Sequence, residues 1–149
     1  MPFWKVYYSV DTLTPEDKSA ISQAVTKWYV AGGLPDFYVN VFFLPLPPSN
    51  FYTGGKPEHK KVSIEILHIA RQWDPTNAAA AVRIKSSFDQ ILKPFTLDRG
   101  VHLEFCVAES PAALWRINGI DPPEGLGPDQ QELAEVNKKL LEQSFESRV

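Results

Sequence analysis

The sequence predicts an α/β (α+β) chain in which two β-α-β repeats form a four-stranded sheet with two helices on one face, followed by a C-terminal helical arm. Four short runs rich in β-branched and aromatic residues, residues 3–9, 37–46, 62–68 and the segment HLEFCV, read as strands. Between the first two, and again between the last two, lies a stretch whose apolar residues follow the 3.6-residue helical period. Thr14-Pro15 and Asp74-Pro75, sixty residues apart, open those stretches in the same way. The likeness between the halves is one of pattern, not identity.

In the first repeat Trp4, Val6 and Tyr8 alternate along a strand, and a turn at Asp11 leads to a helix. Thr14 offers an N-cap hydroxyl, Pro15 suits the first helical position, and Glu16 and Asp17 favour the positive helix end. Ile21, Val25, Trp28 and Tyr29 form the apolar stripe, and Gly32-Gly33 supplies the stop. FYVNVFFLPL is the second strand, and Gly54-Gly55 marks a turn between repeats. In the second repeat Val62, Ile64, Ile66 and His68 take the strand positions. A helix opened at Asp74-Pro75 buries Ala81, Ile84, Phe88, Ile91 and Leu92 and stops at Pro94. Ser110-Pro111 is expected to cap a short helical turn ending at Asn118-Gly119. Past Asp121-Pro122-Pro123 a polar linker leads to a final helix over 129–145, read as a docking or swapped arm. The expected organisation is a two-repeat domain over 1–123, with repeats at about 2–55 and 60–119, and a linker and helix over 124–149. With both helices on one face, the other sheet face is expected to be apolar and covered by self-association.

With 149 residues, 44% of them hydrophobic, the chain is long enough for one good-sized core. A net charge of -3, without long runs of one sign, gives no footprint for nucleic acid or an anionic membrane. Pro and charged residues interrupt every apolar stretch before the roughly 20 residues that a spanning helix needs. The start MPFWKVYYSV lacks the blocks of a secretory signal, and a single cysteine makes no internal disulfide, so a cytoplasmic location is expected.

Pro2 is the first candidate for chemistry. If Met1 is trimmed, the chain begins with a secondary amine whose reference pKa lies near ~8, and burial beside a cation lowers it toward neutrality. Many chains begin Met-Pro without catalytic reason, but a strand starting at residue 3 pins this terminus to the sheet. Arg71 closes the stretch LHIAR, where its planar guanidinium could clasp a carboxylate or instead form an interface ion pair. Arg116 and Asn118 in WRING form a second polar cluster, with Trp115 able to wall a small apolar cleft; capping and packing explain Trp115 and Asn118 nearly as well. His59, His68 and His102 lack a spacing that converges on a metal, so no metal site is expected. Gly54-Gly55 has no accompanying phosphate-loop pattern. Cys106, in a strand, is expected to be a buried small hydrophobe.

MPFWK, FYVNVFF, NFYTGGK, LHIAR and ESPAALWRINGIDPP together resemble the tautomerase superfamily, in the group around cis-3-chloroacrylic acid dehalogenase and related 4-oxalocrotonate tautomerase-like proteins; the similarity spans residue 2 to about 123. The resemblance implies a tautomerase, MIF-like fold and a homotrimer of two-repeat subunits, with the amino-terminal proline at the bottom of a cleft near a subunit boundary. Pro2 matches the catalytic proline. Arg71 lies where the dehalogenase has two carboxylate-binding arginines, with Ile69 and Gln72 as its neighbours here. Tyr29 falls where the dehalogenase carries a histidine. The tyrosine and glutamate that activate water in that enzyme fall on Cys106 and Ile117, neither of which polarises water, and this weighs against hydrolytic dehalogenation.

The expected activity is cofactor-free keto-enol proton transfer on a small 2-oxo or enol carboxylate, with Pro2 as base, Arg71 as carboxylate anchor, and Tyr29 and Asn118 orienting the substrate. A cofactor-free dehalogenase, hydratase or decarboxylase of small unsaturated acids, and a non-catalytic trimeric binding protein, are the alternatives on the same scaffold.

Overall fold

The computed structural model describes residues 1–69, 74 and 76–148. In chain order the regular elements are β1 (Phe3–Ser9), α1 (Pro15–Ala31), β2 (Asn40–Leu46), a small hairpin of β3 (Tyr52–Thr53) and β4 (Lys56–Pro57), β5 (Lys61–His68), α2 (Ala78–Leu92), β6 (His102–Glu109) and α3 (Gln131–Glu146), with short 3-10 turns between them. Two compact units result, one of Met1–Leu67 with Trp73–Ala108, the other of His68–Gln72 with Glu109–Val149.

The main sheet has the order β2-β1-β5-β6. β1 runs parallel to β2, from Phe3↔Asn40 to Ser9↔Leu46, and antiparallel to β5, from Phe3↔Leu67 to Tyr8↔Val62. His102 N–H donates to the Lys60 carbonyl at 2.9 Å and Ser110 N–H to the His68 carbonyl at 2.8 Å, the same offset at both ends, as parallel strands require. Each β-α-β repeat therefore supplies a parallel pair, and the two pairs meet along one antiparallel seam. Pro45 is tolerated inside β2 because that strand is a sheet edge.

Alternation along the strands turns Trp4, Val6, Tyr8, Val62, Ile64 and Ile66 toward the helices, where they form the core with Ile21, Val25 and Tyr29 of α1 and Phe88 and Leu92 of α2. Phe88 is its hub. The ring meets Trp4 edge to face at 4.8 Å, Trp28 at 4.9 Å and Phe105 at 6.0 Å. The buried Ser9 hydroxyl ties the ends of β1 and β5, accepting from Lys61 N–H at 3.0 Å and donating to the Lys61 carbonyl at 3.3 Å.

α1 opens as the sequence predicts. The Thr14 hydroxyl accepts from Asp17 N–H at 3.1 Å and the Asp17 carboxylate accepts from Thr14 N–H at 3.0 Å, a reciprocal capping box. The same carboxylate takes two bonds from Arg99, at 2.8 and 2.9 Å, which fastens the start of α1 to the turn before β6. α2 departs from expectation at its start: it begins at Ala78, capped by Asn77, whose side chain accepts from Ala80 N–H at 3.0 Å. Asp74 instead accepts from Thr76 N–H and hydroxyl at 2.9 and 2.6 Å, so it shapes a turn that precedes the helix; Pro75 lies outside the described residues.

The sheet face away from the helices, apolar by the sequence pattern, is only partly so in the structure. Phe3 stacks on Phe42 at 5.6 Å along β1 and β2, and Leu44 is exposed nearby on β2. Across β5 and β6 the same face carries ions: Lys5 and Tyr7 reach Glu65 at 3.6 and 3.4 Å, and Glu104 accepts from Ser63 at 3.0 Å and pairs with the buried Lys61 at 3.0 Å. Cys106 is exposed on this face, not buried, because β6 is an edge strand and residue parity turns 104 and 106 away from the helices.

In the second unit, the expected helical turn after Ser110-Pro111 shrinks to the 3-10 turn Ala112–Leu114. Asn118-Gly119 then makes a tight reversal bridged by Ile117 and Ile120, with φ of 51° and 81°. Both central residues are left-handed, the primed turn that Asn-Gly favours. Gly125 packs so closely that a Cβ there would lie 2.7 Å from the Ala112 carbonyl oxygen. α3 buries Leu141 and Asn137, and the Asn137 amide donates to the Asp121 carbonyl at 3.0 Å.

Arg99 beside Asp17, aided by the Thr14 bonds, holds the Asp17 carboxyl below its ordinary value against the opposing effect of burial. The unfolded chain therefore takes up this proton first as pH falls, so the contribution is complete above about pH 4 and is lost as pH drops through the folded-state value. Asp17→Asn should lower the melting temperature at pH 7 and flatten its fall below pH 4, measured by circular dichroism melts; equal acid sensitivity in both proteins would refute this.

Candidate active site

Pro2 stands immediately before β1 and its side chain is fully buried. Its carbonyl accepts from Asn40 N–H at 3.1 Å, which holds the start of the chain against β2. A proline fits there because the missing N–H falls just outside the ladder that begins at Phe3.

Tyr29 lies in the core of the first unit, and its phenol oxygen accepts from the Trp4 indole N–H at 3.1 Å. Burial pushes the phenol well above its ordinary pKa, with the indole bond drawing it partly back. The hydroxyl is thus neutral at any physiological pH and fixes Trp4, two residues from Pro2. His68 is the last residue of β5, next to the Leu67 that pairs with Phe3. Burial pushes its imidazole down to about 4, so it is neutral at pH 7. The sequence placed His68 at a strand position and suggested no chemistry for it beyond metal binding; its place in LHIAR, the stretch that ends in Arg71, was the available signal.

Trp115, Arg116 and Asn118 are brought together on one short segment of the second unit. The Trp115 indole donates to the Ser110 hydroxyl at 3.0 Å, half-burying the ring. Arg116 is exposed and holds Asp121 through two nitrogens, at 2.8 and 3.3 Å. Asn118 donates to the Ser144 hydroxyl of α3 at 2.8 Å. Each side chain thus has a structural partner of the kind its residue type seeks. Arg71 lies outside the described residues. Among the described residues no group of three His, Cys, Asp or Glu side chains is placed to hold a metal ion, and no helix is long and apolar enough to cross a membrane.

Two parallel pairs joined by an antiparallel seam, with both helices on one side, are the sheet and helices of a tautomerase-like α/β subunit. Residues 1–138 match the family model Tautomerase_3, described as "Putative oxalocrotonate tautomerase enzyme". Native RhCC from Rhodococcus jostii RHA1 is 34% identical, with a TM-score of 0.76 over 91% of this chain and 96% of that one. A "probable enzyme" from the thermophilic fungus Aspergillus fumigatus is 35% identical, with a TM-score of 0.76 over 92% and 94% of the two chains. More distant structures share the fold alone: N1, a member of the cis-3-chloroacrylic acid dehalogenase family, at 17% identity, TM-score 0.62 and 89% and 99% coverage, and a fused 4-OT asymmetric trimer at 20%, 0.61 and 80% and 94%. Among curated proteins there is no significant sequence match. The chain belongs to the Tautomerase_3 family of oxalocrotonate tautomerase-like proteins.

Tyr29→Phe removes the acceptor of a buried indole N–H and should destabilise the fold by about 1–3 kcal/mol, measured by urea denaturation. A loss within error of zero would mean that the Trp4 bond is replaced by another. The His68 imidazole should titrate near pH 4 in ring-proton NMR. Because the unfolded ring protonates first, its contribution to stability falls as pH drops from about 6.5 toward that value.

Proposed function

We propose that this protein is a cofactor-free tautomerase whose amino-terminal proline, exposed by removal of Met1, moves a proton between oxygen and carbon of a small enol or 2-oxo carboxylate. The observation that carries this reading is the complete burial of Pro2 at the head of a central strand, in a chain of a family described by oxalocrotonate tautomerase. Removal of Met1 would convert the Pro2 nitrogen from an amide into a secondary amine, the group a proton-transfer base requires. In ketonisation the amine takes the enol O–H proton, the O–H electron pair becomes the C=O π bond, and the C=C π pair takes the proton back from the ammonium to form a C–H bond at the adjacent carbon, leaving a C–C single bond. The reaction is an isomerisation and needs no other reactant.

Arg71 is assigned the substrate carboxylate, since a guanidinium offers two parallel donors to it. Arg116, Asn118 and Trp115 are assigned further substrate contacts, with the Asp121 pair fixing the plane of Arg116. Tyr29 is assigned to orient the substrate, and its bond to Trp4 makes it a positioning residue as well. A homotrimer is the proposed assembly, supported by the trimeric state of the fused 4-OT neighbour and by the exposed Phe42 and Leu44 on the open sheet face.

Dehalogenation or hydration finds less support: Cys106 is an exposed thiol on an edge strand and Ile117 is aliphatic, and neither offers the strong base that activates water. The test is the rate of phenylenolpyruvate ketonisation by protein whose intact mass shows loss of Met1, beside Pro2→Ala. The variant should lose at least about a hundredfold in kcat/KM with the oligomer intact. Equal rates in the two proteins would sink the reading, and assays on 3-haloacrylates and malonate semialdehyde would then test dehalogenase, hydratase and decarboxylase activity.

A further inference from the structure

We propose that Met1 is removed only while the chain is still unfolded: once β1 has paired, the bond between Met1 and Pro2 is out of an aminopeptidase's reach, and a chain that folds first keeps its methionine. This rests on the reading of Pro2 as the mature amino terminus. Hydrolysis of that bond consumes one water. Its hydroxyl joins the Met1 carbonyl carbon and its proton goes to the Pro2 nitrogen as the C–N bond breaks, so methionine leaves and the amide becomes a secondary amine.

An aminopeptidase takes the first residue of its substrate into a closed pocket and holds the next few along its own surface, so it needs a free terminus. The folded chain offers none. Pro2 is fully buried and Met1 is half-buried. The Pro2 carbonyl is held by Asn40 N–H at 3.1 Å, and Phe3 pairs with Asn40 on one side and Leu67 on the other. Trp4 is 0% exposed, bonded through its indole to Tyr29 at 3.1 Å and packed on Phe88 at 4.8 Å. Releasing the terminus as far as residue 4 therefore means opening the core, not fraying an end. Further copies of the chain only cover surface, so the burial within one chain is a minimum.

The order of synthesis supplies the opportunity. Both partners of β1 lie downstream, β2 at Asn40–Leu46 and β5 at Lys61–His68. Reaching residue 67 takes about 3–13 s at roughly 5–20 residues per second, and until then Phe3 has no β5 partner and the terminus is a free tail. Trimming and pairing then compete once, and folding fixes the result. Trimmed chains carry the amine. Untrimmed chains carry a tertiary amide whose nitrogen accepts no proton, and only unfolding reopens the bond.

The experiment starts from protein made while the host's methionine aminopeptidase is inhibited, with Met1 confirmed by intact mass. Purified methionine aminopeptidase is then given three substrates: the folded protein, the same protein diluted from urea into the enzyme, and a peptide of residues 1–12. Intact mass reads the loss of Met1. The folded protein should be trimmed at least about thirtyfold more slowly than the peptide, since cleavage follows the small population of opened chains. Dilution from urea should yield a trimmed fraction that stops growing as the chains refold. Asn40→Pro removes the N–H that holds the Pro2 carbonyl, at the first residue of an edge strand and after an extended Val39, where proline fits. Folded by far-UV circular dichroism, it should be trimmed about three- to tenfold faster than folded wild type; where it does not fold, the wild-type samples decide. Trimming of the folded protein at a smaller disadvantage than thirtyfold, no trimming after urea, or a folded Asn40→Pro no faster than wild type would each overturn the inference. A peptide the enzyme leaves intact would overturn it together with the reading of Pro2 as the mature terminus. Equal ketonisation by trimmed wild type and Pro2→Ala would instead sink the tautomerase reading and leave the order of trimming and folding standing.

Discussion

The antiparallel seam between β1 and β5 carries the rest of the architecture. Through it the backbone of β1 is bonded on both sides, to β2 and to β5, and the two β-α-β repeats become one sheet instead of two marginal parallel pairs. The seam sets which side chains share a face. Pairing Trp4 with Ile66 and Val6 with Ile64 turns all four toward the helices, and a slip of one residue would turn β5 inside out, setting Glu65 and Ser63 against Phe88. The Ser9 bonds to the Lys61 backbone fix one end of this register. The other end is where Pro2 enters.

That end is also where the core meets the residue proposed as the base. A residue at the head of a doubly bonded strand has little freedom, and Pro2 has less than most because its ring fixes φ. Trp4 is held by Tyr29 on α1 and packed by Phe88 on α2, so the strand start is braced from both helices. A base must be positioned to work, and for the proposed role of Pro2 the hydrophobic core would do the positioning.

The two faces of the sheet answer different demands. The helix side is a continuous apolar core, while the open side pairs a Phe3–Phe42 stack with the ion pairs of Lys5, Glu65, Lys61 and Glu104. If this face associates as proposed, its charged pairs favour one docking register over others, since like charges set together cost more than misplaced aliphatics. The second unit has little core of its own, with Leu141 fully buried and the Asn137 bond to the Asp121 carbonyl tying α3 to the chain before it.

Much of this was legible from the residues alone. Trp4, Val6 and Tyr8, the Thr14-Pro15 start, the stripe of Ile21, Val25 and Tyr29, and the repeat of that pattern specified both β-α-β units, because period and capping chemistry act over a few neighbouring residues. Pro2 drew notice for a local reason too, since the chemistry proposed for it depends on its place at the start of the chain. What depends on distant partners was not legible. Asp74-Pro75 matched Thr14-Pro15 as a pattern, yet the helix waits for Asn77, since the Asp74 side chain is spent on Thr76. Cys106 could not be assigned to a face until strand order made β6 an edge, and the ions of the open face come from residues 41 to 60 positions apart in the chain. The sequence determined the elements and the core they share, through short-range periodicity and capping. Only tertiary structure decided which faces stay open and which polar groups find partners, because burial and pairing belong to neighbours in space.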